Sequence, residues 1–286
     1  LEFHPDRPNE LWTINRATDS VLIIFDPDTA EQREDARLDA FRDHFMEEVS
    51  SIAFGKYDSE HDWVFGSAQE TSNTYDGQAS PNNFMGPALW PSDLSEFAAV
   101  NQQQGGALLG SHLDMLHESP YGMGIAHDSG NAYWYFDGYY GNLIYYDFQD
   151  DHGPGGDDHD DGIVRRYTEV TLNRFSWVPS HMILDKSTAR LYIANTGAGK
   201  VLWVDTDSAD GFTPTTAGQM DSVLEEYSNA HGVDFGDFAT EPTRPSGIAL
   251  YNNTLFVSDN YDSKIYAYDL QGNLLDSIST NANSIM

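Results

Sequence analysis

The chain has 286 residues, 40% of them hydrophobic, which is enough for one large domain or two small ones with a substantial core. Asp and Glu number 46 against 14 Lys and Arg, and the net charge of −32 argues against nucleic-acid and anionic-membrane partners while suiting calcium-rich or saline surroundings. There is no cysteine, so disulfides, thiol catalysis and Cys-ligated zinc are excluded, and the longest apolar runs, such as Val21–Phe25, are far too short to insert in a bilayer.

The first residues, LEFHPDRPNE, show neither a basic n-region nor an apolar h-region, as expected of a chain with no secretory signal or with one already removed. From Leu11 the sequence LWTINRATDSVLIIFD reads as a hairpin: an apolar strand, Asn15 opening a polar turn, and a second strand from Val21. Glu31 to Val49 then places Leu38, Phe41, Phe45 and Val49 on one face of a helix, which predicts a helical insertion near residues 31–49 on the flank of the fold. SSIAFG and DWVFGSA, between Ser50 and Ala68, read as a degenerate copy of the hairpin, and Asn82 to His117 has room for another.

Three clearer copies follow: YWYFDGYYGNLIYYD from Tyr133, LYIANTGAGKVLWVD from Leu191 and LFVSDNYDSKIYAYD from Leu255. Each carries Asp or Asn at the turn (Asp137, Asn195, Asp259), and each is preceded by a short apolar strand: GMGIAHD, PSHMILD or PSGIALY. With a fourth strand such as IVRRYTEV from Ile163, the unit becomes four antiparallel strands, so the chain is expected to be all-β, a single β-propeller over residues 1–286 with five countable blades and five or six in total. Because the sequence reads as starting on a blade's second strand at Leu11, the tail near Ile285 is expected to supply the inner strand of the first blade.

The segment PSGIAL…LFVSDNYDSKIYAYD resembles an NHL repeat, and the likeness extends over about two thirds of the chain. The repeats are also distantly similar to the peptidyl-hydroxyglycine alpha-amidating lyases, which are six-bladed propellers with a zinc held by three histidines. Asp137-Gly138-Tyr139 matches the turn that carries the lyase tyrosine, and Asn15-Arg16 resembles the turn that carries its arginine. The zinc positions differ: Ser180, Ser246 and Met123 stand where that family has histidine, and His181 falls one residue late.

Propeller topology sorts the loops between two faces. One face is expected to gather His112, Asp114, His117 and His181 with Arg16, Tyr139 and Tyr261 near the axis. His-x-Asp-x-x-His there offers two imidazoles and a carboxylate to a transition metal such as zinc, or a base and its orienting acid. Arg16, Tyr139 and Asp114 are the catalytic candidates, and Tyr139, Tyr261, Asp137 and Asp259 the candidate binding positions. The loop DDHGPGGDDHDDG, Asp150 to Gly162, is expected on the opposite face or at the rim, with Asp151, His152, Asp157, Asp158, His159 and Asp161 as candidate ligands for calcium, through its densely packed oxygens, or for another metal. Its spacing departs from the helix–loop–helix calcium pattern at His159 and Thr168, and DTDSADG, Asp205 to Gly211, is a second acidic loop.

These readings point to a secreted or cell-surface propeller that binds an unknown ligand or protein partner at its axial face, with calcium or another metal in its acidic and histidine-bearing loops. The alternatives are a metal-dependent lyase or hydrolase at that face, and a structural subunit that self-assembles outside the cell.

Overall fold

The computed structural model describes residues 1–72, 84–216 and 223–286. Among them the chain forms five sheets, each built on strands that pair antiparallel with their neighbours in sequence, the mark of a β-propeller. Blade one is β1 (Glu2–Phe3), β2 (Glu10–Asn15), β3 (Ser20–Phe25) and β4 (Arg33–Arg37). Blade two is β5 (Val49–Asp58), β6 (Asp62–Gln69), β7 (Ala88–Pro91) and β8 (Asp114–Met115), and blade three is β9 (Gly122–His127), β10 (Ala132–Asp137), β11 (Asn142–Asp147) and β12 (Ile163–Thr171). Blade four contains β13 (Met182–Asp185), β14 (Arg190–Asn195) and β15 (Lys200–Asp205). The chain then leaves as a hairpin, β16 (Gly211–Pro214) and β17 (Glu226–His231), before returning as β18 (Phe235–Ala239). Strand β17 pairs in parallel with β12, so the hairpin extends blade three to six strands. Blade five is β19 (Pro245–Tyr251), β20 (Thr254–Asp259), β21 (Lys264–Asp269) and β22 (Leu274–Ser279).

The recurrent Asp or Asn at the end of the second strand has a local cause in blades one, three and five. Asp137 Oδ1 accepts from the amides of Tyr139 and Tyr140 at 2.8 and 2.9 Å, and Asp259 Oδ1 accepts from Tyr261 and Asp262 at 2.8 and 3.0 Å. Asn15 does the same for Ala17 at 3.1 Å. A short polar side chain thereby satisfies amides that the hairpin turn leaves without a strand partner. Alternation along the strands then sends large apolar residues between blades, where four clusters form. One, around Trp12 and Trp90, lies between blades one and two; another, around Tyr133 and Tyr146, between blades two and three. The others, around Trp134 and Leu191 and around Tyr192 and Leu255, lie between blades three and four and blades four and five.

Three expectations are corrected. The insertion near 31–49 contains only one helical turn, α1 (Arg42–Phe45), because residues 33–37 pair with the open edge of β3 and satisfy its backbone groups. Phe41, Phe45 and Val49 still enter the core, while Leu38 is exposed. The first blade has its own inner strand, β1, and the tail lies elsewhere: Ile285 O accepts from Ser246 and Asn260 of blade five. Between Phe84 and His117 there is no further blade among the described residues, because Ala88–Pro91 and Asp114–Met115 are the two outer strands of blade two. Asn82 lies outside the described residues.

No helix among the described residues is long and apolar enough to cross a membrane.

Candidate functional site

Strand β8 is short and sits at the outer edge of blade two, and its first residue, Asp114, is almost wholly buried at 1% exposure. The connection between β11 and β12 of blade three folds onto this edge. His152 N donates to Leu113 O at 3.2 Å, Gly155 N to His112 O at 2.8 Å, and Leu109 N to Gly155 O at 2.9 Å. Gly155 has φ +81°, and a Cβ there would stand 2.8 Å from both Gly110 O and Leu109 N, so only glycine permits the approach. Gly155 of DDHGPGG thus serves close docking between blades.

That docking brings Asp114, His152 and His159 together, with one donor atom from each lying within 4.8 Å of the others. His159 Nδ1 is 2.8 Å from Asp114 Oδ1, which also accepts from Met115 N at 2.6 Å. Asp114 Oδ2 and His152 Nε2 are buried without a hydrogen-bond partner. Burial raises the Asp114 pKa, against the opposing hydrogen bond from His159. The cluster therefore carries the electrostatic cost of a buried carboxylate and two unused acceptor positions, both of which a cation relieves. Around it, His112 packs its ring 5.0 Å from that of His152, and His117 lies 5.6 Å from His159. His112 Nδ1 is bonded to Leu109 O at 2.9 Å, its ring stacks on Phe45 at 3.6 Å, and burial holds its pKa well below the ordinary histidine value.

The expected division between an axial histidine group and an opposite acidic loop does not hold. His112 and Asp114 enter the outer strand of blade two from the same side as the acidic loop of blade three, because residues 92–113 connect the third and fourth strands of a blade. Within the loop, Asp151 Oδ1 accepts from Gly153 N at 3.1 Å and lies 3.7 Å from His61 Nε2. Asp157 and Asp158 point to solvent, and Asp161 Oδ2 accepts from Asp150 N at 3.1 Å. In the second acidic loop, Asp205 Oδ1 accepts from Asp207 N at 3.0 Å.

The remaining candidates lie apart from this cluster. His181 lines a cavity of about 380 Å³ with Arg16, Ile14, Val49 and Trp177, and burial lowers its pKa to about 3. Arg16 is engaged by Glu48 at 2.9 Å and by Glu70, and stacks 4.2 Å from the centre of the Trp177 ring. Tyr139 and Tyr261 are exposed, whereas Asp137 and Asp259 are fully buried. Two groupings were not singled out from sequence. Glu70 binds Arg16, Arg174 at 3.1 Å and Trp177 N at 3.0 Å, tying blades one and two to the connection between blades three and four. Arg166 bonds Asp137 Oδ2 at 3.0 Å and the Tyr227 hydroxyl at 2.7 Å, beside a cavity of about 270 Å³. The only sequence signal for the second grouping was a pair of arginines within the strand IVRRYTEV.

Fold and site together define a β-propeller with a His/Asp cluster where two blades meet at the rim. No family model matches the chain, and no curated protein does. Among solved structures, it is similar to an auxiliary nutrient binding protein from Bacteroides thetaiotaomicron, with 13% identity over 96% of this chain and 55% of that one and a TM-score of 0.55. It is also similar to a protein of unknown function from Bacteroides caccae, with 11% identity over 95% of this chain and 73% of that one and a TM-score of 0.50. At these identities the likeness is one of fold, and the chain spans little more than half the length of the nutrient binding protein.

Proposed function

We propose that this chain is a ligand-binding propeller of NHL type, secreted or displayed at the cell surface, which holds a metal ion between blades two and three. Asp114, His152 and His159 are the ligands. The observation that carries the reading is the convergence of these three donors within 4.8 Å while Asp114 Oδ2 and His152 Nε2 lack hydrogen-bond partners. Two imidazoles and a carboxylate suit zinc or another first-row transition ion, with a fourth position left for water or a ligand atom. Calcium prefers oxygen donors alone, which Asp151, Asp157, Asp158 and Asp161 of the same loop supply. The bound ligand or protein partner belongs at the axial face, where the cavity beside His181 and Trp177 combines apolar walls with one arginine.

Metal analysis of the purified protein after exposure to zinc and calcium tests this reading. One zinc per chain, lost in His152→Ala and in His159→Ala with folding retained, is the expected result. Calcium alone, or zinc kept by both variants, overturns the assignment of these ligands. The enzymatic reading rests on the same metal and on no further group that the geometry singles out, so no reaction is assigned.

A further inference from the structure

Among the described residues, blades one and five each present an apolar sheet face that no other blade covers. In blade five, Leu255, Val257, Tyr266 and Tyr268 point into the cluster against blade four. The two-residue period of a strand therefore turns Phe256, Ile265 and Ala267 the other way. On that side Phe256 is 37% and Ile278 63% exposed, and Phe256, Ile265, Ala267 and Ile278 line an open groove of about 340 Å³. In blade one, Trp12, Val21, Ile23 and Phe25 face blade two. Phe3, Leu11, Leu22 and Ile24 lie on the reverse, with Phe3 beside Leu11 and Leu11 beside Ile24 in register, and Phe3 is 54% exposed.

Each of the other four junctions between successive blades holds a buried apolar cluster; among the described residues the junction of blade five with blade one holds none. Blade five offers the face that every earlier blade turns toward its successor, and blade one the face that every later blade turns toward its predecessor. One further sheet with two apolar faces covers both, and two such faces need a sheet packed at about 10 Å from each.

The chain path points to the same place. In blade four, Thr196 follows Asn195 at the end of β14 and donates its hydroxyl to Pro245 O at 2.6 Å, where the inner strand of the next blade begins. In blade five, Asn260 follows Asp259 in the equivalent position and donates to Ile285 O at 3.1 Å, with Ser246 Oγ donating to the same oxygen at 3.2 Å. From Thr280, whose amide bonds Ser263 O at 3.0 Å beside the outer strand, the backbone has by Ile285 returned to the residues that begin β19. Ile285 O thus takes the place that Pro245 O takes one blade earlier.

We propose that the cleft between blades five and one seats a sixth four-stranded blade, supplied by the protein's own polypeptide and entered from Ile285. A second copy of the chain is a poorer occupant, because a net charge of −32 on each molecule opposes association.

The test compares residues 1–286 with the polypeptide that continues past Met286 in the natural gene. Apolar-dye binding and thermal melting are read for both, with Phe256→Asp and Ile278→Asp made in each. The continued chain is expected to lose the dye signal and to melt higher, and both substitutions lower its Tm while leaving that of residues 1–286 unchanged. The proposal is overturned if the reading frame stops at Met286, or if dye binding and Tm do not change with the added residues. It is equally overturned if residues 1–286 form a dimer that excludes the dye, or if only residues preceding Leu1 restore protection.

Discussion

His159 Nδ1 stands 2.8 Å from Asp114 Oδ1, joining the acidic loop of the third blade to the outer strand of the second. Forty-five positions separate the two residues along the chain.

Metal binding at this pair is expected to stabilise the fold. An ion present at 100 times its Kd adds about 2.7 kcal/mol to the unfolding free energy. Calorimetry with added zinc should show a rise in Tm that Asp114→Asn removes. An equal rise in the variant places the ion elsewhere.

The pair formed by Arg166 and Asp137 predicts a large loss on truncation. Asp137 is fully buried, and burial raises its pKa while Arg166 opposes the rise. Arg166→Ala leaves that carboxylate uncompensated, at a cost of about 3–5 kcal/mol. Urea denaturation should show this, and the double variant Arg166→Ala/Asp137→Ala should lose less than the two single changes summed. Strict additivity would mean that the two groups do not interact.

Acid sensitivity follows from His44. Burial, and secondarily His117, lowers its pKa to about 3, and the residue is only 8% exposed. The unfolded chain binds a proton near pH 6.5 that the folded chain refuses, so this contribution is complete above that pH and declines as pH falls toward about 3. The slope is about 1.4 kcal/mol per pH unit within that window. His44→Phe should flatten the stability profile there, and an unchanged slope would assign the acid sensitivity to other groups.

Glu70 should act as a clasp at the axial face. Glu70→Gln weakens its bonds to Arg16, Arg174 and the Trp177 amide, and hydrogen bonds to a charged group contribute about 1.5–3 kcal/mol. Hydrogen exchange is expected to accelerate in residues 172–180, while amides of β10 and β11 keep their protection. Uniform acceleration through all the blades would instead indicate a global loss of stability.

Much of the architecture was legible because its causes are local. Strand alternation and the Asp or Asn at positions 15, 137, 195 and 259 marked four hairpins, and three of those side chains cap their own turns. Asn195 behaves differently, accepting from Asn173 N at 2.7 Å, which no spacing along its own hairpin announces. The outer strands of blade two were missed because β7 has four residues and β8 two, too few to show a period, with a long connection between them. The stretch 31–49 misled in the opposite way: Phe41, Phe45 and Val49 are spaced as on a helix and are buried, yet the edge of β3 captured residues 33–37 as a strand.

The site shows the same division. From sequence alone, His112, Asp114, His152 and His159 stand out as metal-binding types, because imidazole and carboxylate chemistry belongs to each residue. Their sorting into two separate groups failed because residues distant in sequence meet according to how their loops dock. Backbone bonds from Gly155 to His112 and from His152 to Leu113 make that docking, and a left-handed glycine permits it. The sequence by itself determined the repeating hairpins, the capped turns and the strongly acidic surface, since each depends on neighbours a few residues apart. Only the tertiary structure decided that Asp114, His152 and His159 form one cluster and that two apolar sheet faces stand open, since both depend on contacts between different blades.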